Sequence, residues 1–480
     1  MPRQMRPDDP FCMLVLGDFS GRASSGICKP ESLASRPVHD IDRDNFGQVF
    51  STLQPRLKMS LGDQLQQNVE LAFNELDDFH PDQLFDSVEP FAEFRSVRRR
   101  LQNRVTFAEA ARQLGATGVQ GDSNGKPDDP ALSDEGSLLN AAVEATQKTE
   151  PTSTIDQLIQ EIVAPFVIPA ADPRLPELTA AVDAGISELM RRLLHHPDFQ
   201  QLEANWLSLY SLVRKVETDH TLKIQLIDVS LDEFRAGATN ETNIQQCGLY
   251  QRIVGGPYDF PNQLSPAVVL GCWEFEPTLT DINLLGLLST IAAAAAAPCL
   301  AAAGSTFVGC PSFGESPDPD GWTTLPPNIE AAWEAVRSQP AAEYLGLTAP
   351  KVLIRRPYTD DVESFCFPEL TTFAAHSDYL WGNATLLCGE ALGAAFAIHG
   401  WKLDPRHPVE FDGLPMHFVT SDGETVPVPS AECWLTSRGA KVLSAVGLMP
   451  LLSVQGRDAV QLSGFRSVGL PPNTLRGRWE

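Results

Sequence analysis

The chain has 480 residues and a mass of 52.3 kDa, so it holds two or three compact units rather than one core. Hydrophobic residues make up 43% and charged ones 20%, enough to bury a large core and to exclude disorder along most of its length. The formal net charge of −26 repels phosphate backbones and excludes nucleic acid as a partner.

Residues 11–16 form a continuous apolar run stopped by Gly17-Asp18, which predicts a buried strand. Asp44 or Asn45 is placed to cap a helix carrying Phe46, Val49, Phe50 and Leu53. Val69–Phe73 alternates like a half-buried strand, and Pro81 suits the first turn of the helix after it. An arginine-rich helix follows with Arg95, Arg98 and Arg99 on one face, read as solvated or meeting an acidic protein. Thr106 and Glu109 have capping-box spacing.

Residues 115–136 are rich in Gly, Asp and Pro and read as a flexible linker. Ser137–Gln147 is a short amphipathic helix with Leu138, Leu139, Ala142 and Val143 on one side. Residues 155–163 and 178–194 are helical by period, the second ending at His195-His196-Pro197. Asp198 opens a helix bearing Phe199, Leu202, Trp206 and Leu209. Leu222–Val229 is a strand, with Ser230 capping the next helix, and Ala267–Trp273 is another strand. The long uncharged stretch from Leu284 is read as a core helix leading into a strand, since alanine barely favours lipid. Residues 329–336 read as helix, 351–355 as strand, 378–398 as one long helix, and 440–445 as helix before a strand at 449–454. Strands alternating with helices predict a mixed α/β fold with sheets flanked by helices.

None of the nine cysteines is in a CxxC pair, and they read as buried thiols in a reducing compartment. The first ten residues have no apolar h-region, so the expected location is the cytoplasm. His195 and His196 are adjacent and point about 100° apart on a regular helix, so they read as helix-end residues rather than metal ligands. Gly17-Asp-Phe-Ser-Gly21 is not a nucleophile elbow, because Phe19 holds the central slot. No catalytic, cofactor or metal site is expected. An enzyme with a cleft between two halves is the rival reading, and it needs a convergent polar pocket.

Two sets of blocks resemble the contractile-sheath proteins of type VI secretion. Phe11–Arg22, Ser35–Asp42 and Leu76–Leu84, with Asp77, Asp78, Phe79, His80 and Pro81, resemble the small sheath subunit (TssB). Leu194–Trp206, with His195, His196, Pro197, Asp198 and Phe199, resembles the large subunit (TssC), as do Tyr344–Leu353, Gly447–Asp458, and Tyr379–Asn383 with Leu380, Trp381, Gly382 and Asn383. The expected organisation is a disordered leader (1–10), a small-subunit-like domain (11–114), a flexible linker (115–136), a large-subunit-like domain (137–470) and a tail (471–480).

The resemblance implies a non-enzymatic structural protein whose partners are other sheath, tube or baseplate proteins, with no nucleic acid and no membrane insertion. It also implies a Clp-type unfoldase that grips a short helix, which the Leu138–Val143 segment resembles. The family's lattice relies on strands exchanged at the small subunit's N-terminus and the large subunit's C-terminal region, and both elements are expected to be missing here. A regulator that binds sheath subunits or the unfoldase without entering the lattice is the alternative. The tether is expected to make pairing of the halves intramolecular, with a shared surface resembling a domain interior.

Overall fold

The computed structural model describes residues 9–61, 68–103, 105–114, 174–239, 243–260, 263–359, 361–371, 375–421 and 423–479. The linker at 115–136 and the Leu138, Leu139, Ala142 and Val143 helix lie outside the described residues, as do residues 155–163. The chain divides into two compact units, one of residues 1–91 and 187–480, the other of residues 92–186.

In the larger unit the strands run in chain order. They are β1 (Phe11–Gly17), β2 (His39–Asp40), β3 (Arg56–Ser60), β4 (Asn68–Ala72), β5 (Leu222–Asp228), β6 (Val268–Phe275), β7 (Cys299–Ala303), β8 (Leu345–Ala349), β9 (Val352–Leu353), β10 (Trp381–Gly382), β11 (Val409–Phe411), β12 (Phe418–Ser421), β13 (Glu424–Pro427), β14 (Leu448–Ser453) and β15 (Val460–Leu462). Nine of them form one sheet in the order β11-β15-β14-β8-β7-β6-β1-β5-β2. The six strands from β14 to β5 are parallel, and the edges at β2, β15 and β11 are antiparallel. The remaining six pair off as β3–β4, β9–β10 and β12–β13.

Burial on both faces is why the central strands read as unbroken apolar runs in the sequence. Every residue of β1 and β7 is buried. One face carries Leu14, Leu16, Ile227, Val269 and Ala301 into a cluster with Ile282, Leu285 and Leu288 of the Leu279–Ala295 helix. On the other face the Thr385–His399 helix comes close through its glycines, for a Cβ at Gly393 would stand 2.7 Å from Met13 and one at Gly389 2.6 Å from Leu270. The alanine-rich helix ends at Ala295 with Ala296 in the left-handed region, and β7 begins three residues later. No described helix is long and apolar enough to cross a membrane.

In the smaller unit, Leu101, Ala110, Ala111, Val182 and Ile186 are buried, and Arg98 Nε lies 3.3 Å from Asp183 Oδ1. The predicted arginine face therefore supplies at least one ion pair within the fold.

Four local expectations are corrected. Asn45 occupies the N-cap position of the Phe46–Leu53 helix without capping it, because its side chain accepts from Asp42 N and donates to Asp40 O in the preceding turn. Thr106 makes no cap bond either, since its hydroxyl turns back to Arg100 O at 2.9 Å. Only Val352–Leu353 of residues 351–355 is strand. Residues 379–384 are not helical: Asp378 ends a separate short 3-10 turn, Trp381 and Gly382 pair with Leu353 and Val352, and the long helix starts only at Thr385. A short apolar run such as Tyr379-Leu-Trp does not distinguish strand from helix by period.

Candidate functional site: the seam between the two halves

Strand β1 lies in the stretch that resembles the small subunit and sits between β5 and β6 of the stretch that resembles the large one. Phe11 to Gly17 match Leu222 to Asp228 residue for residue, and Met13 to Leu16 match Val268 to Gly271. Its apolar side chains are at most 1% exposed. At 1.5–3 kcal/mol for each large apolar side chain, their burial contributes on the order of 10 kcal/mol.

Beyond β1 the chain turns through Gly21, whose φ of +72° and 1.8 Å clearance from Cβ to Arg56 O leave no room for a side chain. The turn is held by the second half. Phe19 N and Ser20 N donate to Asp228 Oδ1 at 2.8 and 3.1 Å, and Ser20 Oγ donates to Asp228 Oδ2 at 2.6 Å. The Ser20 hydroxyl is thereby spent on the fold. Trp206 Nε1 donates to Phe19 O at 2.8 Å. Burial, reinforced by the charge of Asp228, pushes the Asp18 carboxyl up to about 6 against the pull of bonds from Ala23, Arg22 and Gly21 N–H.

The centre of the seam is Glu233, fully buried. Arg22 grips it with Nε at 2.7 Å and Nη2 at 2.8 Å. Arg36 reaches it with Nη2 at 3.0 Å and Nη1 at 3.2 Å, and Lys29 N adds a bond at 3.1 Å. Burial alone raises this carboxyl, but the Arg22 and Arg36 bonds and Lys29 N outweigh it and hold it at about 2. Ser230 caps the same helix by accepting from Glu233 N, as its position predicts. Motif spacing did not reveal the three-way pairing, because its partners stand about 200 residues apart. Ser230-x-x-Glu233 was the available signal, as a capping-box pattern.

An aromatic cluster extends the seam. Trp206, fully buried, meets Phe50 at 4.3 Å, Phe19 at 5.2 Å and Phe46 at 5.7 Å between centroids. Phe79 stacks on Phe73 at 4.2 Å and meets Phe199 edge-on at 5.6 Å.

The two His-Pro motifs resolve into one device used twice. His80 and His196 each precede a helix-opening proline (Pro81, Pro197) in extended backbone, and each ring Nδ1 accepts from the amide of Asp82 or Asp198 at 3.3 Å. His196 is thus the N-cap of a new helix, because a residue before proline is driven out of the helical region. Asp82 also accepts from Ser364 N at 2.8 Å and Glu363 N at 3.1 Å, tying the first half to a loop of the second. Asp78 accepts from Asn74 N at 2.6 Å, while Asp77 O accepts from His80 N at 2.9 Å. Leu380 is buried, and Trp381 Nε1 donates to His376 O at 2.8 Å. Asn383 follows Gly382 and joins β6 to the next helix, donating to Trp273 O at 3.0 Å and accepting from Thr385 N at 2.8 Å.

His195 stands apart from these caps. Its Nε2 is 3.7 Å from Glu369 and its Nδ1 3.5 Å from Asp378. It borders a surface cavity of about 580 Å³ that also includes Arg191, Arg192 and His196. Among the described residues this is one polar cavity of the kind the enzyme reading requires. Its groups are engaged in the fold: Arg191 Nε donates to Pro368 O and Glu369 O, Arg192 pairs with Glu188, and Glu369 is held by Arg355, which also grips Glu203 at 2.6 Å. Among the described residues no group of His, Cys, Asp and Glu is arranged to hold a metal ion.

Residues 177–469 match the family VipB, described as "EvpB/VC_A0108, tail sheath N-terminal domain", and residues 4–115 match "Type VI secretion system, VipA, VC_A0107 or Hcp2". The type VI secretion system sheath protein TssC1 of Pseudomonas aeruginosa is 32% identical over 307 residues, covering 62% of this chain and 62% of the relative. The sheath protein TssB1 of the same organism is 27% identical over 128 residues, 26% of this chain and 69% of the relative. The chain therefore spans less than two thirds of TssC1. Given the seam and these matches, the chain belongs to the VipB family of tail-sheath proteins of type VI secretion, with a VipA-type stretch fused ahead of it.

Proposed function

We propose that the chain is a non-enzymatic structural component of a type VI secretion sheath, a small and a large subunit made as one polypeptide. The observation that carries this reading is the placement of β1, buried on both faces between β5 and β6. A strand in that position is part of the scaffold, so the small- and large-subunit-like stretches share one sheet. Its partners are other sheath, tube or baseplate proteins, and its site of action is the cytoplasm. Residues 11–114 and 137–470 serve as the small- and large-subunit-like portions, the His-Pro, Trp381 and Asn383 motifs hold them in shape, and Leu138, Leu139, Ala142 and Val143 form the grip for a Clp-type unfoldase.

The test is electron microscopy and co-sedimentation of the purified chain with sheath and tube proteins from its own host, alongside a secretion assay in a deletion strain. The reading expects co-assembly and loss or change of secretion. A chain that neither associates with any of these proteins nor alters secretion when deleted overturns it.

A further inference from the structure

Arg252 is a buried cation that pairs with no carboxylate among the described residues. It sits on a single π-helical turn, Gln251–Gly255, and is 3% exposed. Its Nε and Nη1 have no hydrogen-bond partner among the described residues, and no described carboxylate pairs with it. The guanidinium lies 4.1 Å from the Phe260 ring centroid, and burial lowers its pKa. A neighbouring acceptor is in the same condition: Gln263 Nε2 donates to Arg252 O at 2.7 Å, while its buried Oε1 has no donor. Arg22, Arg36 and Arg355 are, by contrast, each matched to a carboxylate.

The surroundings face outward. Tyr258 is 61% exposed and Phe260 36%, next to a guanidinium that one of them stacks on. Exposed aromatics beside an arginine are the composition of the energetic centre of a protein interface. An uncompensated buried charge destabilises a fold unless a counter-charge meets it, and π-turns are concentrated at functional positions. A guanidinium fork fits a carboxylate. A net charge of −26 disfavours a polyanionic surface but leaves a single carboxylate among apolar side chains acceptable.

We propose that Arg252, Tyr258 and Phe260 form a docking site for a protein segment that inserts one Asp or Glu carboxylate onto the Arg252 guanidinium while its apolar flanks cover the two rings.

The test uses the full chain and a fluorescein-labelled peptide carrying one Glu between leucines, with the Glu→Gln peptide as control. Binding is read by fluorescence anisotropy at low salt. The wild type is expected to favour the Glu peptide by about tenfold or more, the scale of one charge-assisted pair. Arg252→Met is expected to abolish that preference, and Tyr258→Ala to weaken both peptides. A second measurement does not depend on the peptide sequence. Arg252→Met should melt at or above the wild-type temperature, and acetate should raise the melting temperature of wild type but not of Arg252→Met relative to chloride at equal ionic strength. Equal or absent binding of the two peptides together with no acetate effect overturns the proposal. So does a lower melting temperature for Arg252→Met, which marks Arg252 as an ordinary structural residue.

Discussion

Replacing Glu233 by Gln tests the seam most directly. The carboxylate is fully buried and accepts from Arg22, Arg36 and Lys29 N, and its pKa is held at about 2 instead of 4.5. At 1.36 kcal/mol per pH unit this gap is worth about 3 kcal/mol at neutral pH. Removing the charge also leaves Arg36 without its anion and Arg22 with only Asp228, 3.6 Å away, a loss of about 3–5 kcal/mol when one member of a buried pair is deleted. The expected loss is therefore about 3–5 kcal/mol, measured by urea unfolding and localised by hydrogen exchange in peptides covering residues 11–36 and 222–239. The pH dependence has a definite sign. A depressed carboxyl stabilises fully above its unfolded pKa and loses that contribution as pH falls through 4.5 towards 2, so about half is gone by pH 3. Glu233→Gln should lack this component of the acid sensitivity. A variant within about 1 kcal/mol of wild type at pH 7, with unchanged exchange in β1, would refute the argument that the carboxylate clamps the halves together.

Trp206→Phe keeps a ring in the aromatic cluster but removes the donor to Phe19 O, so unfolding should become easier by about 1–3 kcal/mol. Gly21→Ala forces a Cβ against Arg56 O at a positive φ, and a melting temperature equal to wild type would contradict the close approach seen there. Native alkylation followed by mass spectrometry should modify Cys28 and Cys366 first, since the other seven thiols are buried and burial pushes Cys272 and Cys388 up to about 12.

Much of the scaffold was legible because it obeys simple periodicity. The Phe11–Leu16 run, the Leu222–Asp228 strand, the alanine-rich helix and the strand after it are where the apolar pattern places them. The caps were less legible. Asn45 and Thr106 have the right chemistry and position, yet each side chain found a different backbone partner nearby. The opposite held for His80 and His196, which cap helices although histidine is not a favoured cap residue. The seam ions escaped altogether, since no local pattern tells Arg22 and Arg36 that Glu233 will lie between them.

The position of β1 also constrains how the molecule is made. It leaves the ribosome well before its neighbour β5, which follows about 210 residues later. At roughly 5–20 residues per second, that is a wait of about 10–40 s before the nascent chain offers it a partner. For that interval a sticky hexapeptide must be shielded by chaperones or by transient collapse. A chain that joins a VipA-type stretch to a VipB-type one thus fixes their ratio at one to one, while deferring the closing of its central sheet until the later stretch has been translated.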